Sequence, residues 1–329
     1  MMASPLNDID LLSHRISSFR LSDDLSSLDL HLLPPLVFPK PSEEDSFRSQ
    51  EWFNNISRMS PHFRWMELIR RNSNRLIVKA VDLKTQKLVI VKFLCLSQCP
   101  SLYRELRLAA SLHLPHTLPV ERFSLPELRS FGILVFPFVQ SRSCHPKSWQ
   151  TWLRVLSQLF ETLMILHANG YAHLDINPSN ILLEGDGKRI KVWLIDFGVS
   201  APEDRPDSEP AGWAGTLPYV DPVLIKTGLV SSKADVWGVG VMLATSIFTN
   251  GATFFSKPYS ASSVLADALL LPERIRNAVS DTSLHKKRLF HQSLAVLLSN
   301  LLCLEVSDRL SSRQTYLKIQ ELMKENCLT

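Results

Sequence analysis

The chain has 329 residues, 45% apolar and 21% charged, and its 36 basic and 32 acidic side chains leave a net charge of +4. That composition supports a packed core in one large domain or two modest ones and excludes wholesale disorder. The charge is too small and too dispersed to call for nucleic acid as a partner, and the longest apolar runs, residues 236–248 and 293–304, fall short of the roughly 18–20 residues a membrane segment needs.

The start, Met1-Met2-Ala3-Ser4-Pro5, has no basic stretch followed by an apolar run, so no secretory signal is expected. No glycine follows the initiator, and Cys327 stands third from the end where a prenylation box needs it fourth. Residues 1–58 read as an N-terminal extension, largely flexible, broken by prolines and acidic near its end. The apolar run 28–38 is the part able to dock on the body.

From about His62 the pattern becomes ordered. Arg75–Asp82 and residues 87–93 are apolar, β-branched runs joined by Leu83-Lys84-Thr85-Gln86, which predicts an antiparallel hairpin. Residues 102–112 predict a short helix and residues 132–139 a strand. Trp152, Leu156, Leu159, Leu163 and Leu166 recur at helical spacing, and Gly170 supplies the stop. Residues 181–183 and 190–195 flank Gly185-Asp186-Gly187, a second hairpin. Beyond Lys233 the pattern is almost wholly helical. Strands first and helices after predict two lobes meeting at a cleft. The cysteines, Cys95, Cys99, Cys144, Cys303 and Cys327, are odd in number and scattered, which argues for ordinary thiols in a reducing compartment.

Two acids stand out. Asp175 lies in His173-Leu174-Asp175-Ile176-Asn177-Pro178-Ser179-Asn180, after the long helix, and Asp196 lies in Ile195-Asp196-Phe197-Gly198, after the second hairpin. Asn180 and Asp196 therefore sit at the two ends of one hairpin and can converge. Both offer hard oxygen ligands suited to Mg²⁺, while Asp175 can accept a proton from a hydroxyl. Lys92 sits on a strand among Val89, Ile90, Val91 and Phe93, a costly place for a cation unless it is paired or lines a polar cleft. Taken singly, each has a bland reading: Asp175 as a turn cap before Pro178, Asp196 as a turn initiator at Gly198, Lys92 as a solvated strand lysine.

Over roughly residues 62–325 the chain resembles the eukaryotic-type protein kinases. Val89-Ile90-Val91-Lys92 is similar to the family's phosphate-holding lysine strand, and Glu105 falls where the family has that lysine's helical partner. Phe136-Pro137-Phe138-Val139 falls at the hinge. The segments carrying Asp175 and Asp196 resemble the catalytic and magnesium loops. Gly215-Thr216-Leu217-Pro218-Tyr219 with Pro222, the run from Ala234-Asp235 to Gly240, and Asp308-Arg309 resemble later family motifs.

The resemblance implies an α+β, two-lobed kinase-like fold. A small antiparallel-sheet lobe with one main helix would span residues 59–139, and a large, mostly helical lobe residues 140–329. It implies ATP and Mg²⁺ as cofactors and a protein substrate phosphorylated on serine or threonine. In those terms Asp175 and Lys92 are catalytic. Ile69, Ile77, Lys92 and Glu105 serve the nucleotide, and Asn180 and Asp196 hold the metal. An intracellular location, cytoplasmic or nuclear, follows from the same reading, while the oligomeric state is left open.

The chain departs from the family in several places. No glycine lies between Ile69 and Ile77, and the family's three loop glycines fall at Arg70, Asn72 and Arg75. Their loss removes phosphate-facing amides; Arg70, Arg71 and Arg75 are cations on the same loop, of which one or two are candidates to contact the nucleotide, the bland reading being solvated hairpin residues. Leu174 replaces an arginine that pairs with a phosphorylated activation segment. Asn177 replaces a lysine near the transferred phosphate. Val223 replaces the glutamate after Pro222, so the family's ion pair with Arg309 is expected to be absent. An active Ser/Thr protein kinase is the first expectation. A pseudokinase scaffold is the alternative, and a small-molecule kinase of the aminoglycoside or choline type is a third.

Overall fold

The computed structural model describes residues 61–71, 75–95, 108, 112–123, 131–141, 146, 148–203, 215–248, 254–280 and 288–326. The expected extension and all but Leu108 and Leu112 of the expected helix at 102–112, Glu105 included, lie outside these residues.

The upper half is a five-stranded sheet in the order β1-β2-β3-β5-β4, with every neighbouring pair antiparallel. Its strands are β1 (Phe63–Arg71), β2 (Arg75–Asp82), β3 (Leu88–Cys95), β4 (Glu121–Phe123) and β5 (Phe131–Pro137). The hairpin of β2 and β3 forms as its β-branched pattern predicts. Asp82 accepts from the amides of Lys84 and Thr85 and so shapes the turn.

Residues facing each other across antiparallel strands share a face, and the register sorts the sheet cleanly. Leu76 lies opposite Phe93, Val78 opposite Val91 and Ala80 opposite Val89. These pack with Phe63, Trp65, Ile133 and Val135 into one apolar cluster. The alternate residues, Arg75 opposite Leu94, Ile77 opposite Lys92 and Lys79 opposite Ile90, occupy the other face. Leu134, paired with Lys92, and Phe136, paired with Ile90, continue that face on β5. One strand period thus separates a greasy core side from a side that carries three cations.

The lower half is helical. Helix α1 (Trp149–Ala168) begins at Ser148, whose Oγ accepts from the Thr151 amide at 3.2 Å, and buries Trp152, Leu156, Leu159, Leu163 and Leu166. Gly170 follows its cap at φ +75°, the left-handed geometry glycine adopts without penalty. Next come the two-residue β6 (Tyr171–Ala172), the hairpin of β7 (Ile181–Glu184) and β8 (Lys191–Leu194), and the two-residue β9 (Ala201–Pro202). Helices α2 (Pro222–Thr227), α3 (Lys233–Phe248), α4 (Ala261–Ser280), α5 (Arg288–Leu301) and α6 (Ser312–Glu325) complete the body. Helix α3 is buried continuously from Ala234 to Thr245, as a helix apolar on all sides must be. Among the described residues no helix is long and apolar enough to cross a membrane. The apolar run at 236–248 is this central helix. Gly238 lets α3 press on the loop after β6: a Cβ there would stand 3.0 Å from the Ile176 carbonyl oxygen.

The family's pair between Arg309 and residue 223 is absent, as Val223 requires, but a different acid replaces it. Arg309 does not lose its acid when Val223 takes the glutamate position. It forms a two-pronged buried pair with Asp221, the residue before Pro222, through Nη1 to Oδ2 and Nη2 to Oδ1. Its guanidinium also donates to the carbonyls of Cys303 and Lys233 and lies 5.2 Å from the Trp237 ring centroid. The acid has moved one side of the proline, and the guanidinium fork reaches it there because both groups are almost wholly enclosed. Breaking such a pair strands a buried charge. Asp221→Ala is expected to lower unfolding free energy by about 3–5 kcal/mol in urea titrations, while Val223→Ala changes it by less than about 1.5 kcal/mol.

Candidate active site

The site is built on backbone fixed by a buried acid. Asp235, in the first turn of α3, is 1% exposed. Its Oδ2 accepts from the His173 amide and its Oδ1 from the Leu174 amide, both at 2.7 Å. The ring of His167, from the end of α1, meets the same Oδ2 through Nε2 at 2.8 Å and touches Ser312 Oγ through Nδ1 at 2.8 Å. These bonds hold Leu174 at φ +67°, a left-handed conformation that costs a non-glycine residue about 1–3 kcal/mol and persists only where the surroundings over-determine it. The twist delivers the next residue, Asp175, to the cleft.

Asp175 is held by three side chains. Oδ1 accepts from Thr216 Oγ1 at 2.7 Å and from Asn177 Nδ2 at 2.9 Å, and Oδ2 accepts from Asn180 Nδ2 at 2.7 Å. Asn177 is itself oriented, since its Oδ1 accepts from the Ser179 amide and starts a short 3-10 turn over Pro178–Asn180. Sequence reasoning treated Asn177 as a lost lysine. Here it is a donor that fixes the carboxylate, a role visible only once the turn is folded.

Asn180 and Asp196 flank the open end of the β7–β8 hairpin, where the Ile195 amide donates to the Asn180 carbonyl at 3.0 Å. The two loops are tied again through His173, whose Nε2 lies 3.1 Å from the Ile195 carbonyl and whose ring meets Phe197 edge-on at 4.9 Å. Asp196 has φ +64°, a second left-handed residue at the site.

Two cations from the sheet meet Asp196. Lys92 Nζ, on a residue 5% exposed, donates to Oδ1 at 3.0 Å, and Arg75 Nη1 lies 3.5 Å from Oδ2. Burial pushes the Asp196 carboxyl pKa upward, but the charges of Lys92 and Arg75 outweigh it and hold the group well below the usual carboxylate range.

Of the residues expected to serve the nucleotide, Ile77 lies directly opposite Lys92 on the cleft-facing side of β2 and is half-buried. Ile69 is half-buried at an irregularity of the β1–β2 register, between Leu68 and Arg70. Glu105 lies outside the described residues. Arg70 and Arg71 are exposed, so of the loop arginines it is Arg75 that enters the cleft. A strand-period count from Lys92 gives its side: Arg75 and Ile77 lie two apart on one face.

Comparison with known proteins agrees with this architecture. The family model described as "protein kinase domain" matches residues 73–325. The chain is 26% identical over 277 residues to "Serine/threonine-protein kinase ppk11" of Schizosaccharomyces pombe, covering 80% of this chain and 82% of that one. It is 30% identical over 167 residues to "Calcium/calmodulin-dependent protein kinase type II" of Caenorhabditis briggsae, covering 48% and 30% of the two chains. It is 26% identical over 206 residues to "Serine/threonine-protein kinase PLK4" of Drosophila grimshawi, covering 59% and 27%. The matched region thus spans most of the yeast relative but under a third of the other two.

The sign of the Asp196 shift sets a pH dependence. A carboxyl with a lowered folded pKa stabilises the protein above its unfolded value, here 3.8, and loses that contribution as pH falls further. Asp196→Asn is therefore expected to cost about 1–3 kcal/mol at neutral pH. In unfolding titrations the gap from wild type should hold constant down to about pH 5 and shrink below about pH 4. A gap that widens in acid would contradict the assignment.

Proposed function

We propose that this chain, which belongs to the protein kinase family, transfers the γ-phosphoryl group of ATP to serine or threonine hydroxyls of protein substrates. The observation that carries the reading is the gathering of Lys92 and Asp196 at 3.0 Å beside an Asp175 carboxylate held by Thr216, Asn177 and Asn180.

The chain's own residues divide the work. Lys92, on the sheet above, holds the phosphate tail. Asp175 receives the substrate proton at Oδ2, which takes one side-chain hydrogen bond where Oδ1 takes two. Thr216 and Asn180 keep that carboxylate from turning, so the attacking hydroxyl meets it aligned. Asp196 and the amide oxygen of Asn180 are the hard donors that would hold Mg²⁺, which would supply charge neutralisation for the phosphates. The serine/threonine preference rests on Thr216 and on the relatives named as serine/threonine-protein kinases.

In this reading packing, instead of a phosphate, holds the described ends of the activation segment. Leu174 is buried with Ala201, Val220 and Leu224, in the place where an arginine would await a phosphate. Ser200 is fully enclosed, and its Oγ donates to the His173 carbonyl at 3.3 Å. Phosphatase treatment of the purified protein should leave its transfer rate unchanged. A large loss would count against this account.

A scaffold that binds nucleotide without transferring phosphate is the second reading. It is favoured by the neutral Asn177 beside Asp175 and by the arginine already seated on Asp196. One assay separates the two. Transfer from labelled Mg-ATP to the chain itself and to generic protein acceptors is measured for wild type, Asp175→Asn and Lys92→Met. The kinase reading expects incorporation by wild type and a loss of about 10²–10⁴-fold in Asp175→Asn. Nucleotide binding with no incorporation by wild type leaves the scaffold.

A further inference from the structure

Arg75 is the loop arginine that enters the cleft, and the kinase reading gives it no role. It opens β2 on the same face as Ile77 and Lys92, and so points from the sheet into the cleft. Its Nη1 reaches the Asp196 oxygen that Lys92 leaves, so that Lys92 takes Oδ1 and Arg75 takes Oδ2. Its Nη2 rests in a notch made by a missing side chain. A Cβ built on Gly198 would stand 2.2 Å from Nη2 and 2.9 Å from Cζ. A side chain at residue 198 would displace the tip of the guanidinium from this seat.

The charge count explains what such an arrangement can hold. A carboxylate beside a polyphosphate repels it unless a cation lies between them. In the family that cation is a metal. Here a guanidinium occupies the carboxylate. Its fork carries five N–H donors in a planar geometry that suits carboxylate and phosphate oxygens. On the opposite wall Asn177 stands where the family has a lysine, so Arg75 also returns a positive charge that this chain removes elsewhere. Lys92, Asp196 and Arg75 together carry one net positive charge on the cleft side of the sheet.

We propose that Arg75 stands in for the divalent cation, so that the cleft binds nucleoside di- and triphosphates in the absence of metal. This rests on the nucleotide-binding part of the kinase reading and adds to it a metal independence that the family resemblance does not imply.

The test is calorimetric titration of the full chain with ATP, once in excess Mg²⁺ and once in EDTA. Wild type is expected to bind in EDTA within about tenfold of its affinity in Mg²⁺. Arg75→Gln removes one charge-assisted set of contacts and should weaken binding in EDTA by about 10–100-fold, with a smaller loss in Mg²⁺. Gly198→Ala, which leaves Arg75 intact but fills its notch, should reproduce the EDTA defect. Melting temperatures of the ligand-free variants report whether they are folded. Binding by wild type in Mg²⁺ alone overturns the proposal and leaves the kinase reading standing. Equal losses for Arg75→Gln in both conditions reduce Arg75 to an ordinary phosphate contact and likewise overturn it. Binding in neither condition overturns the nucleotide reading as well.

Discussion

The meeting of Asp196 with two cations from the sheet is the contact on which the site's geometry turns. Lys92 and Arg75 belong to the strands above, Asp196 to the loop after β8, and the ion pairs set how the sheet stands over the helical body. A lysine this buried is tolerable because its charge is matched at 3.0 Å. Asp196 in turn keeps its left-handed backbone because its carboxylate is committed to those cations and to the Gly198 amide. The cleft is therefore held by opposite charges whose separate burial would be costly.

Below that contact a second acid does for backbone what Asp196 does for side chains. Asp235 gathers the amides of His173 and Leu174 and the ring of His167 around one buried carboxylate. Charge-assisted bonds of this sort are short and directional, which is why a residue as plain as Leu174 can be kept in a strained conformation. His167 carries the tie onward to Ser312 at the start of α6, so the reacting loop is braced from the far side of the body.

The chain replaces several family features with physical equivalents. The acid that pairs with Arg309 is on the other side of Pro222, yet the pair is buried and two-pronged. Leu174, where the family has an arginine, is buried with Val220 and Leu224. Asn177 supplies a neutral donor to Asp175, and Arg75 brings positive charge from the opposite wall. Each change keeps the interaction satisfied while altering which residue supplies it, so positional matching alone misjudges them.

Local pattern was enough for much of this. The period-two runs of β2 and β3, the helical spacing from Trp152 to Leu166 and the glycine after α1 are short-range signals, and their elements formed where expected. The order of strands and helices likewise carried the two-lobed α+β fold, and the positions of Asn180 and Asp196 at the ends of one hairpin followed from chain order. Expected strand limits slipped where pattern is weak: β5 ends at Pro137 instead of running to Val139. The partnerships of Arg75 with Asp196 and of Arg309 with Asp221 could not be read this way. They join residues 121 and 88 positions apart. No periodicity reports on such distances, and a charged side chain finds its counter-charge only after burial has brought the walls of the cleft together and made an unmatched ion expensive.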